Sequence, residues 1–262
     1  MGVVTYAVNE LERARQRDVR ELGRSTRQAD WDLSPVVRQQ LLEALSAALE
    51  PTAPPKMTYE EFLAWADEDT LAEWVDGEVI MGSPASRSHQ DVADFLTSVL
   101  RSFVEERGLG LVLSAPFQVK LERGREPDLI FLAQAHLNRL KESHVEGPPD
   151  LVVEIVSPES MERDRGERFY EYARGGVPEY WLIDPQAHWA EFYRLKGSYY
   201  RPAFSGEEGV YRSEALPGFW LRVEWLWQAP LPQVEDVLLD IGGEEYAQRW
   251  IERLRQRGFL PR

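Results

Sequence analysis

The chain has 262 residues, 43% of them hydrophobic, a formal net charge of −15 and no cysteine. That length suits one sizeable domain with appendages; no apolar run is long enough for a membrane span, and the missing thiols exclude disulfides and thiolate metal sites. The acidity opposes non-specific binding to polyanions, which draws its affinity from Lys and Arg, so any chemistry on phosphates needs a local basic surface or metal ions.

Met1 to Glu10 has neither the basic start nor the apolar length of a signal peptide, so the expected compartment is the cytoplasm. Residues 9–24 are charge-rich, with Leu11, Ala14, Val19 and Leu22 loosely on one helical face. A second helix is expected to Leu49, with Ser34 as N-cap and Pro35 at its first position. Pro51, Pro54 and Pro55 end it and mark a boundary between an N-terminal helical extension, 1–55, and a main domain, 56–262. The apolar stripes of the extension exceed what a lone helix pair can hide, so a symmetric homodimer is expected.

In the main domain, Thr58 and Glu61 form a capping-box pattern for a short helix to about Ala66. Residues 73–81 read as a hairpin turning at Asp76-Gly77. From Ser86 to Glu106, Val92, Leu96, Val99, Leu100 and Phe103 recur at helical spacing, and Gly108 stops the helix. Strands are expected at 111–121, 127–133 and 150–156, a helix at 158–174 closed by Gly175 and Gly176, and a strand at 179–184. The order over about 86–185 is therefore αβββαβ. Aromatic-rich segments at 189–195, 198–203, 210–213 and 219–223 read as a β-meander extending the sheet, and 244–257 as a terminal helix.

Glu154 interrupts the aliphatic run Leu151-Val152-Val153-Glu154-Ile155-Val156, which otherwise reads as a strand covered on both faces. A lone carboxylate there is expensive, so such residues are paired, protonated or metal-bound. Asp128 opens the preceding apolar strand, directly after Pro127. Two neighbouring strands can present both acids to one Mg²⁺, which takes oxygen ligands and needs only one or two protein carboxylates for phosphodiester chemistry.

These acids belong to a longer ordered set: Pro127-Asp128-Leu129-Ile130, Pro149-Asp150 through Ser157-Pro158, Asp164-Arg165-Gly166-Glu167-Arg168 and Tyr172-Ala173-Arg174-Gly175-Gly176-Val177-Pro178-Glu179-Tyr180-Trp181. The set resembles the Uma-two family of restriction endonucleases, within the PD-(D/E)XK superfamily, over roughly residues 57–200. The resemblance implies a restriction-endonuclease-like α/β (α+β) fold with a mixed central sheet. It also implies Mg²⁺ or Mn²⁺ on Asp128 and Glu154, and a nucleic-acid substrate, DNA in the first instance.

The superfamily's usual lysine, two residues after the acid, falls here on Val156, and the helix position that is typically lysine in the family is Arg168. Arginine stays protonated, so Arg168 can steady a phosphate but serves poorly as a general base. Asp164, four residues before Arg168, also fits an ordinary helix ion pair. His89 and Gln90 match a family position; Glu73 on the hairpin and Lys120, alternating with apolar neighbours, are further candidates. Two readings stand: a metal-dependent endonuclease, and a non-catalytic nuclease-fold protein acting as an oligomeric binding or structural module.

Overall fold

The helices and strands follow the local signals closely. The computed structural model describes residues 56–66, 70, 72–81, 86–157 and 166–261. The helices expected before Pro51, and the beginning of the helix expected from residue 158, lie outside the described residues. In chain order, α1 (Tyr59–Trp65) is followed by the hairpin β1 (Ala72–Val75) and β2 (Glu78–Met81), the long helix α2 (Arg87–Arg107), β3 (Gly110–Ser114), β4 (Gln118–Lys120), β5 (Gly124–Arg125) and β6 (Leu129–Ala133). Then come β7 (His144–Glu146), β8 (Leu151–Ile155), α3 (Glu167–Gly175), β9 (Glu179–Asp184), β10 (Trp189–Lys196), β11 (Tyr199–Gly206), β12 (Val210–Arg212), β13 (Trp220–Arg222) and α4 (Val234–Gln256).

Capping explains the boundaries. Thr58 Oγ1 accepts from the Glu61 amide at 3.2 Å while Glu61 Oε2 accepts from the Thr58 amide at 2.8 Å, the reciprocal box that starts α1. Gly108 and Gly176, at φ 61° and 87°, end α2 and α3 in the left-handed region, which glycine enters without a Cβ penalty. Asp76 and Gly77, at φ 52° and 92°, make the hairpin turn with both central residues left-handed.

A mixed six-stranded sheet, ordered β11-β10-β9-β8-β6-β3, contains all four strands of the expected core. Only the β8–β9 pair is parallel; α3 makes the crossover between them. One face of this sheet packs under α2, β12, β13 and α4, with Phe103, Trp181, Phe192 and Phe219 at its centre. The other face carries α3 and the strands β4 and β7, through Val119, Val145, Val152, Tyr172 and Tyr180. These belong to a second sheet, β2-β1-β5-β4-β7, against which Tyr59 and Phe62 of α1 pack beside Ala72 and Trp74.

Two expectations are corrected and one is extended. The strand expected at 111–121 is two strands, β3 and β4, in different sheets, because the chain turns at Ala115-Pro116. The meander extends the central sheet only through β10 and β11; β12 and β13 form a separate pair that closes over the first core. The terminal helix expected at 244–257 is present as the second part of α4; a first part from Val234, not expected, meets it at a non-helical Gly243 (φ 56°, ψ −148°). Among the described residues no helix is long and apolar enough to cross a membrane.

Gly110 pairs with Ala133 at a strand edge, and a Cβ built there would lie 2.1 Å from the Leu132 carbonyl oxygen, at a φ of +150°. Because the obstacle is backbone, Gly110→Ala should cost about 2–4 kcal/mol, seen as a fall of several degrees in Tm by calorimetry. An unchanged Tm would mean that β3 does not approach β6 so closely.

Candidate functional site

Sheet register brings the two acids together. β6 and β8 are antiparallel neighbours with Leu129 opposite Val153 and Ile130 opposite Val152, and Asp128 stands just before β6 at the end of the pair where β8 carries Glu154. Asp128 Oδ2 accepts from the Ile155 amide at 2.6 Å, which ties it to the residue after Glu154. Its Oδ1 lies 3.2 Å from His89 Nε2. The first turn of α2 presents His89, whose amide donates to the N-cap Ser86 Oγ at 3.2 Å.

Glu154 is only 2% exposed. Arg168 and Tyr172, four residues apart on the sheet-facing side of α3, reach it together. Arg168 Nη1 donates to Oε2 at 3.0 Å and the Tyr172 hydroxyl to Oε1 at 2.8 Å. Burial, with the Glu154 charge beside it, pushes the Tyr172 hydroxyl well above its ordinary value, so it remains a donor.

The network continues into the second sheet. Arg168 Nη2 donates to Glu73 Oε1 at 2.8 Å, and Glu73 also accepts from Arg125 Nη1 at 3.0 Å and from the Glu126 amide at 3.2 Å. Burial alone would raise the Glu73 carboxyl; Arg168 and Arg125 on either side overcome it and hold the group below the usual carboxylate range. Arg125, itself 1% exposed, grips Glu171 through Nε and Nη2 at 2.7 and 2.9 Å. Arg123 closes the series by pairing with Asp76, Glu167 and Glu171. Charges thus alternate from Glu154 through Arg168, Glu73 and Arg125 to Glu171.

Of the residues singled out in the sequence, the fold joins Glu154, Arg168 and Glu73 directly, and Asp128 with His89. Gln90 is exposed and spends its amide on Asp94 Oδ1 at 3.0 Å. Lys120 stands over the rings of Tyr59 and Trp74, 4.4 and 4.2 Å from their centroids, on the α1 side of the second sheet. Asp164 lies outside the described residues. Sequence reasoning missed Tyr172, Arg125, Glu126 and Glu171 as site neighbours. A usable signal was present: Glu167 and Glu171 repeat at helical spacing, and Arg123 and Arg125 are two residues apart, the spacing of one strand face.

Among the described residues no group of three or more His, Asp or Glu converges as a ready-made metal cage. Asp128 and Glu154 nevertheless carry the hard oxygen donors that Mg²⁺ or Mn²⁺ prefers, and two carboxylates are enough when water and a phosphate complete the shell. The donor set fits the ion.

A family profile described as "Uma2: Putative restriction endonuclease" matches residues 59–224, which include every member of this network. The fold is similar to the crystal structure of a "putative nuclease" from Anabaena variabilis, with a TM-score of 0.56 at 18% identity, covering 65% of this chain and 97% of that one. No curated protein matches the chain.

Glu126 borders the network, and Gln118 Nε2 donates to its Oε2 at 2.9 Å. Burial, with a further push from Glu73, raises its carboxyl to about 7, although the Gln118 hydrogen bond pulls the other way. An acid raised on folding stabilises the protein fully below its unfolded pKa, and that contribution is lost as pH rises through the folded value. Glu126→Gln should therefore be more stable than wild type by about 2 kcal/mol near pH 8, after allowance for partial exposure, with the gain shrinking on acidification towards about pH 4.5. Urea denaturation in EDTA across that range checks it; a difference that does not vary with pH would contradict the raised pKa.

Proposed function

The chain belongs to the Uma2 family, and on that premise we propose that it is a metal-dependent endonuclease that hydrolyses phosphodiester bonds with Mg²⁺ or Mn²⁺ held by Asp128 and Glu154. The observation that carries this reading is a 2%-exposed glutamate on β8 with a second carboxylate, Asp128, at the start of the adjacent strand and hydrogen-bonded to the amide of the next residue, Ile155. When bound, such an ion would lower the pKa of a water and stabilise the leaving oxygen.

The chain's own residues would prepare that chemistry. Tyr172, donating to Oε1, fixes the rotamer of Glu154, and the Ile155 amide with His89 fixes Asp128. Arg168 carries a permanent charge on a delocalised fork, so its part is to steady the scissile phosphate, and it does not abstract the proton. The substrate is nucleic acid, which we propose to be DNA, and a homodimer would suit cutting two strands. With a net charge of −15, approach of that substrate relies on the bound ion and the local arginines.

A second reading has its own support. Both oxygens of Glu154 are already engaged, by Arg168 and Tyr172, as in a buried ion pair that serves structure alone. A non-catalytic binding or structural module would then keep the fold without answering to the ion.

Thermal melts and cleavage assays separate the two. Under the nuclease reading Mn²⁺ at a hundredfold excess over Kd stabilises the wild type by about 2.7 kcal/mol, and Glu154→Gln abolishes the shift. Plasmid and single-stranded oligonucleotide cleavage should survive in Arg168→Lys and fall by about a hundredfold in Arg168→Ala. Equal rates for all three proteins would remove Arg168 from the chemistry, and a Tm indifferent to Mn²⁺ would favour the second reading.

A further inference from the structure

Arg168 is shared between two carboxylates that belong to different sheets. Nη1 meets Glu154 on β8 and Nη2 meets Glu73 on β1, with the side chain only 10% exposed. The two acceptors are not equivalent. Glu73 is held in place: Arg125 and the Glu126 amide bind its oxygens together with Arg168, and Arg125 is in turn fixed by its two-point grip on Glu171. With its oxygens committed to two guanidinium groups and an amide, Glu73 is a poor ligand for an additional cation. Glu154 directly precedes Ile155, whose amide Asp128 accepts from, and is the acid to which such a cation would go.

A divalent ion at Glu154 would place like charge beside the Arg168 guanidinium in a poorly solvated setting, where repulsion is weakly screened. Retention of Arg168 near the site then depends on an acceptor that does not bind the ion. We propose that Glu73 is that positioning residue: it keeps Arg168 by Nη2 while Nη1 exchanges Glu154 for a phosphate oxygen of the nucleic acid. Glu73 thereby lowers the cost of loading the ion and delivers Arg168 to the substrate already oriented. This inference rests on the nuclease reading and assigns Glu73 a role that is neither metal ligation nor packing.

The test is a double-mutant cycle on the full-length protein, with Mn²⁺ binding read by calorimetry. Glu73→Gln should weaken Mn²⁺ binding about tenfold, a coupling of ordinary size, because Arg168 without its second acceptor stays on Glu154. Arg168→Gln, which removes the competing charge, should bind more tightly than wild type. The double variant should match Arg168→Gln, since Glu73 acts only through Arg168. Equal weakening by Glu73→Gln in both backgrounds would make Glu73 a ligand or a general support and overturn the proposal, as would no effect in either. Should Glu73→Gln fail to fold, Glu73→Asp keeps the charge facing Arg125 while withdrawing it from Arg168, and the same pattern is expected. Wild-type binding that persists in Glu154→Gln would instead overturn the metal site itself, a result distinguishable from failure of the Glu73 role alone.

Discussion

Holding a charged carboxylate inside a strand that is covered on both faces sets the terms for this half of the molecule. Glu154 sits among Val152, Val153 and Ile155, and moving its charge out of water would cost several kcal/mol without partners. Arg168 meets that cost and creates a second one, because its own guanidinium is buried. Glu73 answers Arg168, Arg125 answers Glu73, and Glu171 answers Arg125, until Arg123 carries the series towards solvent through Glu167 and Asp76, which are 45% and 61% exposed at their side chains. Each member is stabilised only because the next is present.

The geometry of the ladder also explains why two sheets and one helix stay in register. Hydrophobic contact fixes the faces of β4, β8 and α3 against one another but is indifferent to sliding by a fraction of a residue. Bidentate arginine contacts are not, since a planar fork accepts carboxylates only along set directions. Arg125 and Arg168 therefore tie the hairpin strand β1 to α3 and β8 with a precision that the surrounding Val, Tyr and Leu side chains do not supply.

For function, the same network sets an unusual starting condition. Under the proposed reading a divalent cation would come to these carboxylates, and here the buried one already has a cation of the protein's own. Glu154 is held by Arg168 and Tyr172 of the helix, while position 156 of the strand is a valine. Val156 is turned into the core at 3% exposure, and the cation beside Glu154 comes from the helix.

What the sequence determined by itself was local or depended on contrast with neighbours. Thr58 with Glu61, Ser86, Gly108 and Gly176 set helix ends through hydrogen bonds that span four residues or fewer, and Asp76-Gly77 set a turn through its own backbone preferences. Glu154 was conspicuous because a charge in an aliphatic run is costly wherever that run is buried. The order of elements followed from the periods of the apolar residues, and the ordered motifs added the family likeness. Tertiary structure alone decided what Glu154 and Arg168 would meet. Arg168 bonds Glu73, 95 residues earlier in the chain. Such a pairing depends on which strands become neighbours and in what register, and that is settled by packing the two sheets together, over separations at which periodicity and propensity carry no information. The split of residues 111–121 between two sheets has the same origin: each half is a competent strand, and only the competition for neighbours assigned β3 beside β6 and β4 beside β7.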